Sequence, residues 1–299
     1  MVGSAVVRRL ERRGDLAEII TASRADVDLM RQDAVAHFVA EARPDVIIMA
    51  AAVVGGILAN DSYPVEFLYD NLMIQNNVIH SAAANDVGKL VLLGSSCIYP
   101  KHADQPISEE SLLTGPLEPT NQWYAIAKIA GIKLCEAHRK QYGRDFISLM
   151  PTNLYGPGDN YSLETGHVIP ALLRKAHMAK IAGKSEMEVW GSGRPRREFM
   201  HVDDLADAIV FLTEHYSAGE QINVGVEYDV TIAELARTIC DVVGFEGELR
   251  FDTSKPDGTP RKLMDSSRLA TLGWQPQIAL EAGLASTYEA AQVEFSTES

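Results

Sequence analysis

Tyr124 and Lys128 stand four residues apart in Tyr124-Ala125-Ile126-Ala127-Lys128. That spacing puts both side chains on one face of a helix, a turn apart. An ammonium beside a phenol favours the phenolate, so the pair predicts a Tyr124 whose pKa Lys128 draws down, into the range where a phenol passes a proton. Earlier in the chain, Ser95-Ser96-Cys97-Ile98-Tyr99-Pro100 follows the run Lys89-Leu90-Val91-Leu92-Leu93-Gly94. The run reads as a buried strand, so Ser95 and Cys97 lie just past a strand's carboxyl end, where open α/β sheets bind ligands. A Tyr-x-x-x-Lys pair alone is an ordinary helix face. The strand and serines ahead of it point to proton-transfer chemistry.

The hydrophobic pattern supplies the elements that must position these groups. Short apolar runs at Glu18-Ile19-Ile20-Thr21, Val46-Ile47-Ile48-Met49-Ala50, Leu90 to Leu93 and Phe146-Ile147-Ser148-Leu149-Met150 alternate with helical patterns near 31–42, 64–86 and 122–142. Such alternation predicts βαβ units in a Rossmann-like, doubly wound parallel sheet. Residues 1–155 are expected to form that domain. After it, Pro, Gly and charged residues interrupt shorter elements, and 156–299 is expected to be mainly a smaller α/β substrate lobe from which the chain crosses back. Met1-Val2-Gly3-Ser4-Ala5-Val6-Val7 reads as the start of a helix, with Gly3 as the last glycine of a phosphate-cradling turn. The first strand and most of the Gly-rich turn are expected to be missing, with the true start upstream of Met1.

Composition limits the partners. The 299 residues carry a formal net charge of −14 and are 46% hydrophobic, enough for one large domain or two small ones. The negative excess argues against nucleic acid and anionic membranes. The sequence has no apolar run of the roughly 18 residues that span a bilayer and no visible secretory leader, so a cytoplasmic protein is expected. Cys97, Cys135 and Cys240 are widely spaced and form no Cys/His cluster; no metal is expected. Cys135 and Cys240 fall within helical patterns and are expected in the core.

Ser95, Tyr124 and Lys128, in this order, resemble the catalytic set of the short-chain dehydrogenase/reductases. Over essentially its whole length the chain resembles the extended branch of that family. The most specific pieces are Ala50-Ala51-Ala52-Val53-Val54-Gly55-Gly56-Ile57, Leu93 to Pro100, Tyr124 to Gly131, Met150-Pro151-Thr152-Asn153-Leu154-Tyr155-Gly156-Pro157, His167-Val168-Ile169-Pro170 and Lys255-Pro256-Asp257-Gly258-Thr259-Pro260-Arg261-Lys262. Cys97 together with His167 resembles the members that epimerise and reduce GDP-4-keto-6-deoxy-mannose; sister epimerases and dehydratases share the Tyr and Lys but usually not both of these. Val53 departs from the pattern, standing where such members often carry Lys.

The resemblance implies a 4-keto sugar nucleotide whose C3 and C5 hydrogens are acidified by the ketone, then hydride reduction at C4. Cys97 and His167 are the expected base and acid, since a thiol in suitable surroundings and an imidazole both exchange protons near neutrality; which acts at each carbon stays open. Ser95 and Tyr124 are expected to donate hydrogen bonds to the C4 oxygen, and Lys128 to hold the nicotinamide ribose. The implied cofactor contacts are Gly3, Arg24, Leu29, Leu93, Gly94, Ser95, Ser96, Lys128, Pro151, Thr152, Asn153, Leu154 and His167. Arg24 follows the Glu18–Thr21 run, the second strand once the missing first is counted, where an Arg accepts a 2′-phosphate and an acid would select NAD, so NADP(H) is expected; Asp26 and Asp28 could instead face backbone amides around the adenosine.

Lys175, Trp190, Arg197 and Asp257 are the implied substrate contacts, while Arg194 and Arg196 read as surface charge. Asp203 or Asp204 reads as a helix cap. A homodimer is expected through a four-helix bundle of 64–86 and 122–142, with Leu68, Leu72, Ile129 and Ile132 as candidate apolar positions. The alternatives are another NAD(P)-dependent sugar-nucleotide epimerase or dehydratase, or a non-catalytic sugar-nucleotide-binding protein.

Overall fold

In the computed structural model, which describes residues 1–163, 165–255 and 257–297, a parallel sheet organises the first half of the chain. Pro256 of the Lys255–Lys262 motif lies outside the described residues. The elements run α1 (Val2–Glu11), α2 (Gln32–Ala42), β1 (Val46–Met49), α3 (Ile57–Ser62), α4 (Asn71–Ala84), β2 (Lys89–Leu93), α5 (Gln122–Tyr142) and β3 (Asp145–Pro151). Next come β4 (Asn153–Tyr155), α6 (Val168–Ile181), β5 (Glu186–Trp190), β6 (Arg196–Arg197), β7 (Phe199–His201), α7 (Val202–His215) and β8 (Ile222–Val224). The last are β9 (Val230–Thr231), α8 (Ile232–Val243), β10 (Glu248–Asp252), β11 (Arg261–Lys262), α9 (Ser267–Thr271) and α10 (Leu280–Thr297).

The sheet has the order β1-β2-β3-β8, with every pairing parallel. Side chains on a strand alternate between faces, and both faces here are apolar. Leu90, Leu92, Phe146 and Met150 pack with Val35, Ile79 and Ile132 of the helices on one side. Val91, Leu93, Ile147 and Leu149 pack with Ala5, Val6, Leu205 and Ile209 on the other. Double coverage is why these strands read as continuous apolar runs. The late return of α7 and β8 to this sheet adds a helix and an edge strand.

A separate apolar cluster joins α6, α8, α10 and β5 through Ile169, Leu173, Val189, Leu235, Ile239 and Leu284. Its helix α8 begins on a reciprocal capping box, with Thr231 accepting from the Glu234 amide at 3.0 Å while the Glu234 carboxylate accepts from the Thr231 amide at 2.7 Å. Cys135 and Cys240 are buried as expected, and burial pushes their thiols up, to about 12 and about 11.

The expected strand at Glu18–Thr21 does not form. The segment is irregular and mostly exposed, because a strand exists only where its amides and carbonyls have a ladder partner. Among the described residues β1 pairs on one edge alone, with β2. The expectation for Asp203 and Asp204 also needs correction. The cap of α7 is His201, whose ring nitrogen accepts from the Asp203 amide at 3.2 Å. Asp203 instead pairs with Arg8 at 2.7 Å. Asp204 is buried and accepts from the Gln277 amide at 3.1 Å and the Ile278 amide at 2.9 Å. It thereby pins the approach to α10 onto α7.

Asp204→Ala leaves those amides without acceptors and is expected to cost about 2–4 kcal/mol of unfolding free energy. Asp203→Ala removes a surface ion pair with Arg8, with side chains 40% and 42% exposed, and a 3.9 Å approach to the His201 ring, and is expected to cost about 1 kcal/mol or less. Urea denaturation of both variants checks the contrast.

Candidate active site

The site is built where β2 ends. Ser95 is extended, and its hydroxyl accepts from the Cys97 amide at 3.2 Å, starting a 3₁₀ turn over Ser96–Ile98. That turn packs against the start of α5 and presents Cys97, which is half-buried. Tyr124 lies in the first turn of α5, with the Phe67 ring edge-on at a centroid distance of 6.3 Å. One turn on, Lys128 is 3% exposed and donates to the Leu93 carbonyl at 2.9 Å. Its Nζ lies 5.7 Å from the Tyr124 ring centroid. The sequence spacing thus delivers Ser95, Cys97, Tyr124 and Lys128 to one strand end.

Their electrostatics differ from the expectation. Burial pushes the Tyr124 phenol up, and the neighbouring Cys97 adds to the rise. Burial also pulls Lys128 down, to about 8. The ammonium is turned along the ring toward a backbone carbonyl, and loss of solvent around both groups outweighs their mutual effect. Tyr124 is therefore held as a neutral phenol, a proton donor at neutral pH.

Cys97 has two partners absent from the sequence-based set. The Asn121 side-chain amide donates to its sulfur at 3.3 Å, and Lys262 Nζ lies 3.8 Å from it. Asn121 occupies the N-cap position of α5, a role its residue type signals. Lys262 belongs to a noted motif, but its nearness to Cys97 follows from β11 pairing with β6, which sets Lys262 opposite Arg197.

Arg197 is half-buried; burial pulls its guanidinium down, while Cys97, Asp257 and Glu118 oppose that shift. No ion pair to it is seen among the described residues. Its neighbour Arg196 points the other way and pairs with Asp229 at 2.7 Å, so Arg196 is engaged rather than free surface charge. At the mouth, Lys175 and Lys255 lie 4.6 Å and 5.2 Å from the Trp190 ring. Asp257 accepts from the Ser192 amide at 2.6 Å and its hydroxyl at 2.7 Å. Burial holds Lys175 below its ordinary value.

His167 stands at the N-cap position of α6, yet its side chain caps nothing. It stays open to solvent, and the protein around its ring still lowers its pKa by desolvation. The preceding Gly166 carbonyl packs against Gly56 in the loop after β1, where a Cβ would approach it to 2.7 Å.

Several of the expected cofactor contacts lie at the carboxyl ends of the strands. Gly3 lies in the first turn of α1 next to Ala50, and Leu93, Gly94, Ser95 and Ser96 end β2. Pro151 ends β3, and Leu154 lies in β4 packed on the sheet's core. Thr152 and Asn153 already hold the Glu198 carbonyl, at 3.3 Å and 2.8 Å. Leu29 packs on the other cluster, and its carbonyl accepts from Asn77 at 2.9 Å. Arg24 is exposed and has no ion pair among the described residues. Asp26 accepts from the Ser23 amide at 2.7 Å and Asp28 from the Met30 amide at 3.0 Å, both within their own turns. Val53 offers only its backbone, clamped by Asn71 at 2.9 Å and 3.0 Å.

A strand-end cleft with a Ser–Tyr–Lys set belongs to a known class. Residues 1–225 match the model of the NAD dependent epimerase/dehydratase family, and the chain belongs to it. It is 58% identical over 289 residues to the GDP-L-fucose synthase of Sinorhizobium fredii, covering 97% of this chain and 91% of that protein. It is 56% identical over 298 residues to the GDP-L-fucose synthase of Escherichia coli, covering 97% and 92%. The crystal structure of a GDP-L-fucose synthetase from Naegleria fowleri bound to NADP superposes with a TM-score of 0.91 at 30% identity, covering 99% of this chain and 92% of that one.

Because Lys128 is buried with a depressed pKa, its folded form releases the proton before its unfolded form does. Below pH 8 the cost of burying the charge is fully present; as pH rises toward the ordinary lysine value, stability recovers. Lys128→Met is expected to be more stable than the parent by roughly 1–3 kcal/mol near pH 7, and to lose that advantage by about pH 10. Denaturation at the two pH values reads the difference.

Proposed function

We propose that this protein is an NADPH-dependent oxidoreductase and epimerase that converts GDP-4-keto-6-deoxy-D-mannose to GDP-L-fucose by 3,5-epimerisation and 4-reduction. The observation that carries the reading is the meeting of two proton-transfer sets at one strand end: Cys97 with its donors, and Tyr124 over Lys128. Reduction alone needs the second set. The relatives named GDP-L-fucose synthase support the assignment along almost the whole chain.

Thiolate Cys97 takes an α-proton; the S–H bond forms as C–H breaks, and the electron pair moves to the C4 oxygen. Ser95 and Tyr124 donate hydrogen bonds to that oxygen as it gains charge. His167 is the partner acid that returns a proton on the opposite face. Tyr124, kept protonated by burial, gives its proton to the C4 oxygen during reduction. NADPH supplies the hydride when bound. Lys128, whose buried amine lies beside the Tyr124 ring, suits the nicotinamide ribose; exposed Arg24 suits the 2′-phosphate; and Leu93–Ser96 with Pro151–Leu154 suit the strand-end contacts.

The substrate's diphosphate is matched by a local excess of cations in a chain of net charge −14. Arg197 is the strongest candidate, since its guanidinium fork is in no ion pair among the described residues and fits phosphate oxygens. Trp190, flanked by Lys175 and Lys255, and Asp257 complete the set.

Residues 1–155 form the cofactor-binding part and 156–299 mainly the substrate lobe, with α7 and β8 crossing back. The protein works in the cytoplasm as a homodimer. Ile129 and Ile132 pack into the core, so they are not the interface. Val65, Tyr69, Trp123 and Ile126 are exposed on the same two helical segments and are better suited to a second copy; sedimentation as a monomer at micromolar concentration would count against the dimer.

Cys97→Ser is expected to slow deuterium wash-in at C3 and C5 far more than reduction of an already epimerised substrate. Tyr124→Phe is expected to lower reduction about 10²-fold or more, the loss of a general acid, with little change in affinity. NADPH oxidation in step with product decides the reading: catalytic turnover without net oxidation would mean a recycling epimerase or dehydratase instead.

A further inference from the structure

We propose that Asn121 and Lys262 are positioning residues for Cys97, together aiming its sulfur into the cleft and supporting the negative charge it carries when ready to take a proton. The inference rests on the reading of Cys97 as the epimerisation base. Its first ground is geometric. Sulfur sits between an amide donor at 3.3 Å and an ammonium at 3.8 Å, delivered by segments distant in sequence, the start of α5 and β11.

The second ground is the orientation of Asn121. Its NH₂ faces the sulfur, while its Oδ1 is buried without a hydrogen-bond partner among the described residues. With an N–H rather than a carbonyl turned toward it, the sulfur is offered a donor, a contact that strengthens when the acceptor carries charge.

The remaining groups facing Cys97 fit the same assignment. Arg197 approaches from β6 and its guanidinium responds to Cys97; the Tyr124 phenol, on α5, is raised partly by it. Of the acids that also act on Arg197, Asp257 accepts from Ser192 and Glu118 is paired with Lys101 at 2.8 Å. The cations therefore outnumber free acids around the sulfur.

Cys135 and Cys240 are buried, so alkylation of the folded, substrate-free protein by iodoacetamide reads Cys97, with its peptide followed by mass spectrometry from pH 5.5 to 9.5. Lys262→Met is expected to slow alkylation at pH 7 about tenfold by moving the rate profile about one pH unit upward relative to the parent. Asn121→Asp, which keeps shape but replaces the donor with a carboxylate, is expected to shift it in the same direction. Lys262→Arg should restore most of the parent profile. Parent-like profiles for both Lys262→Met and Asn121→Asp overturn the proposal. Cys97→Ser with undiminished wash-in would sink the reading of Cys97 as base, a separate result from the alkylation profiles.

Discussion

The hydrogen bond from Lys128 to the Leu93 carbonyl fixes the strand-end chemistry in place. Leu93 is the last residue of β2 and Lys128 lies a turn beyond Tyr124, so one bond sets the register between the strand and α5. It is bought with a buried amine, held near 8 instead of the usual lysine range. The two helices on that face must also approach closely. At Gly131 an added Cβ would come within 2.6 Å of Gln75 Oε1, and Gln75 donates to the Ala127 carbonyl from α4. Small side chains along α5 let it lie near enough to the sheet for a lysine to reach a main-chain carbonyl.

A second buried charge organises the other wall. Glu198, 0% exposed, accepts from the amides of Val226 at 2.6 Å, Glu227 at 3.0 Å and Met264 at 3.1 Å. Burial pushes its carboxyl up, against those amides. One residue before it is Arg197, and two before Met264 is Lys262. A single carboxylate therefore gathers the chain segments that carry both cations toward Cys97. Alternation along β6 separates the neighbours: Arg196 turns to Asp229, which also holds Arg261, and Arg197 faces the cleft.

What was legible in the sequence was local. The apolar runs that became β1, β2 and β3 and the period of α5 bring Ser95, Cys97, Tyr124 and Lys128 to one strand end, because strand ends and helix faces follow from short-range spacing. Glu18–Thr21 has the same apolar signature, but a strand also needs a ladder, which composition does not encode. The direction of the Tyr124 shift was misread for a related reason: a four-residue spacing gives proximity and says nothing of depth, and depth dominates here. Asn121 reaches Cys97 from the start of α5, but Lys262 arrives there only through the pairing of β11 with β6, a contact between segments far apart in the chain.

The charge distribution joins these points. A net charge of −14 keeps polyanions such as nucleic acid away from most of the surface. A nucleotide diphosphate meets a different field, because near Arg197 the acids are already engaged: Glu118 with Lys101 and Asp257 with Ser192. Arg197 and Lys262, beside Cys97, are left without acidic partners among the described residues. On the proposed reading, Arg197 meets a phosphate oxygen while Lys262 supports the thiolate. Desolvation strengthens both attractions, so a cleft that closes water out around the diphosphate also favours the charge on sulfur that epimerisation requires.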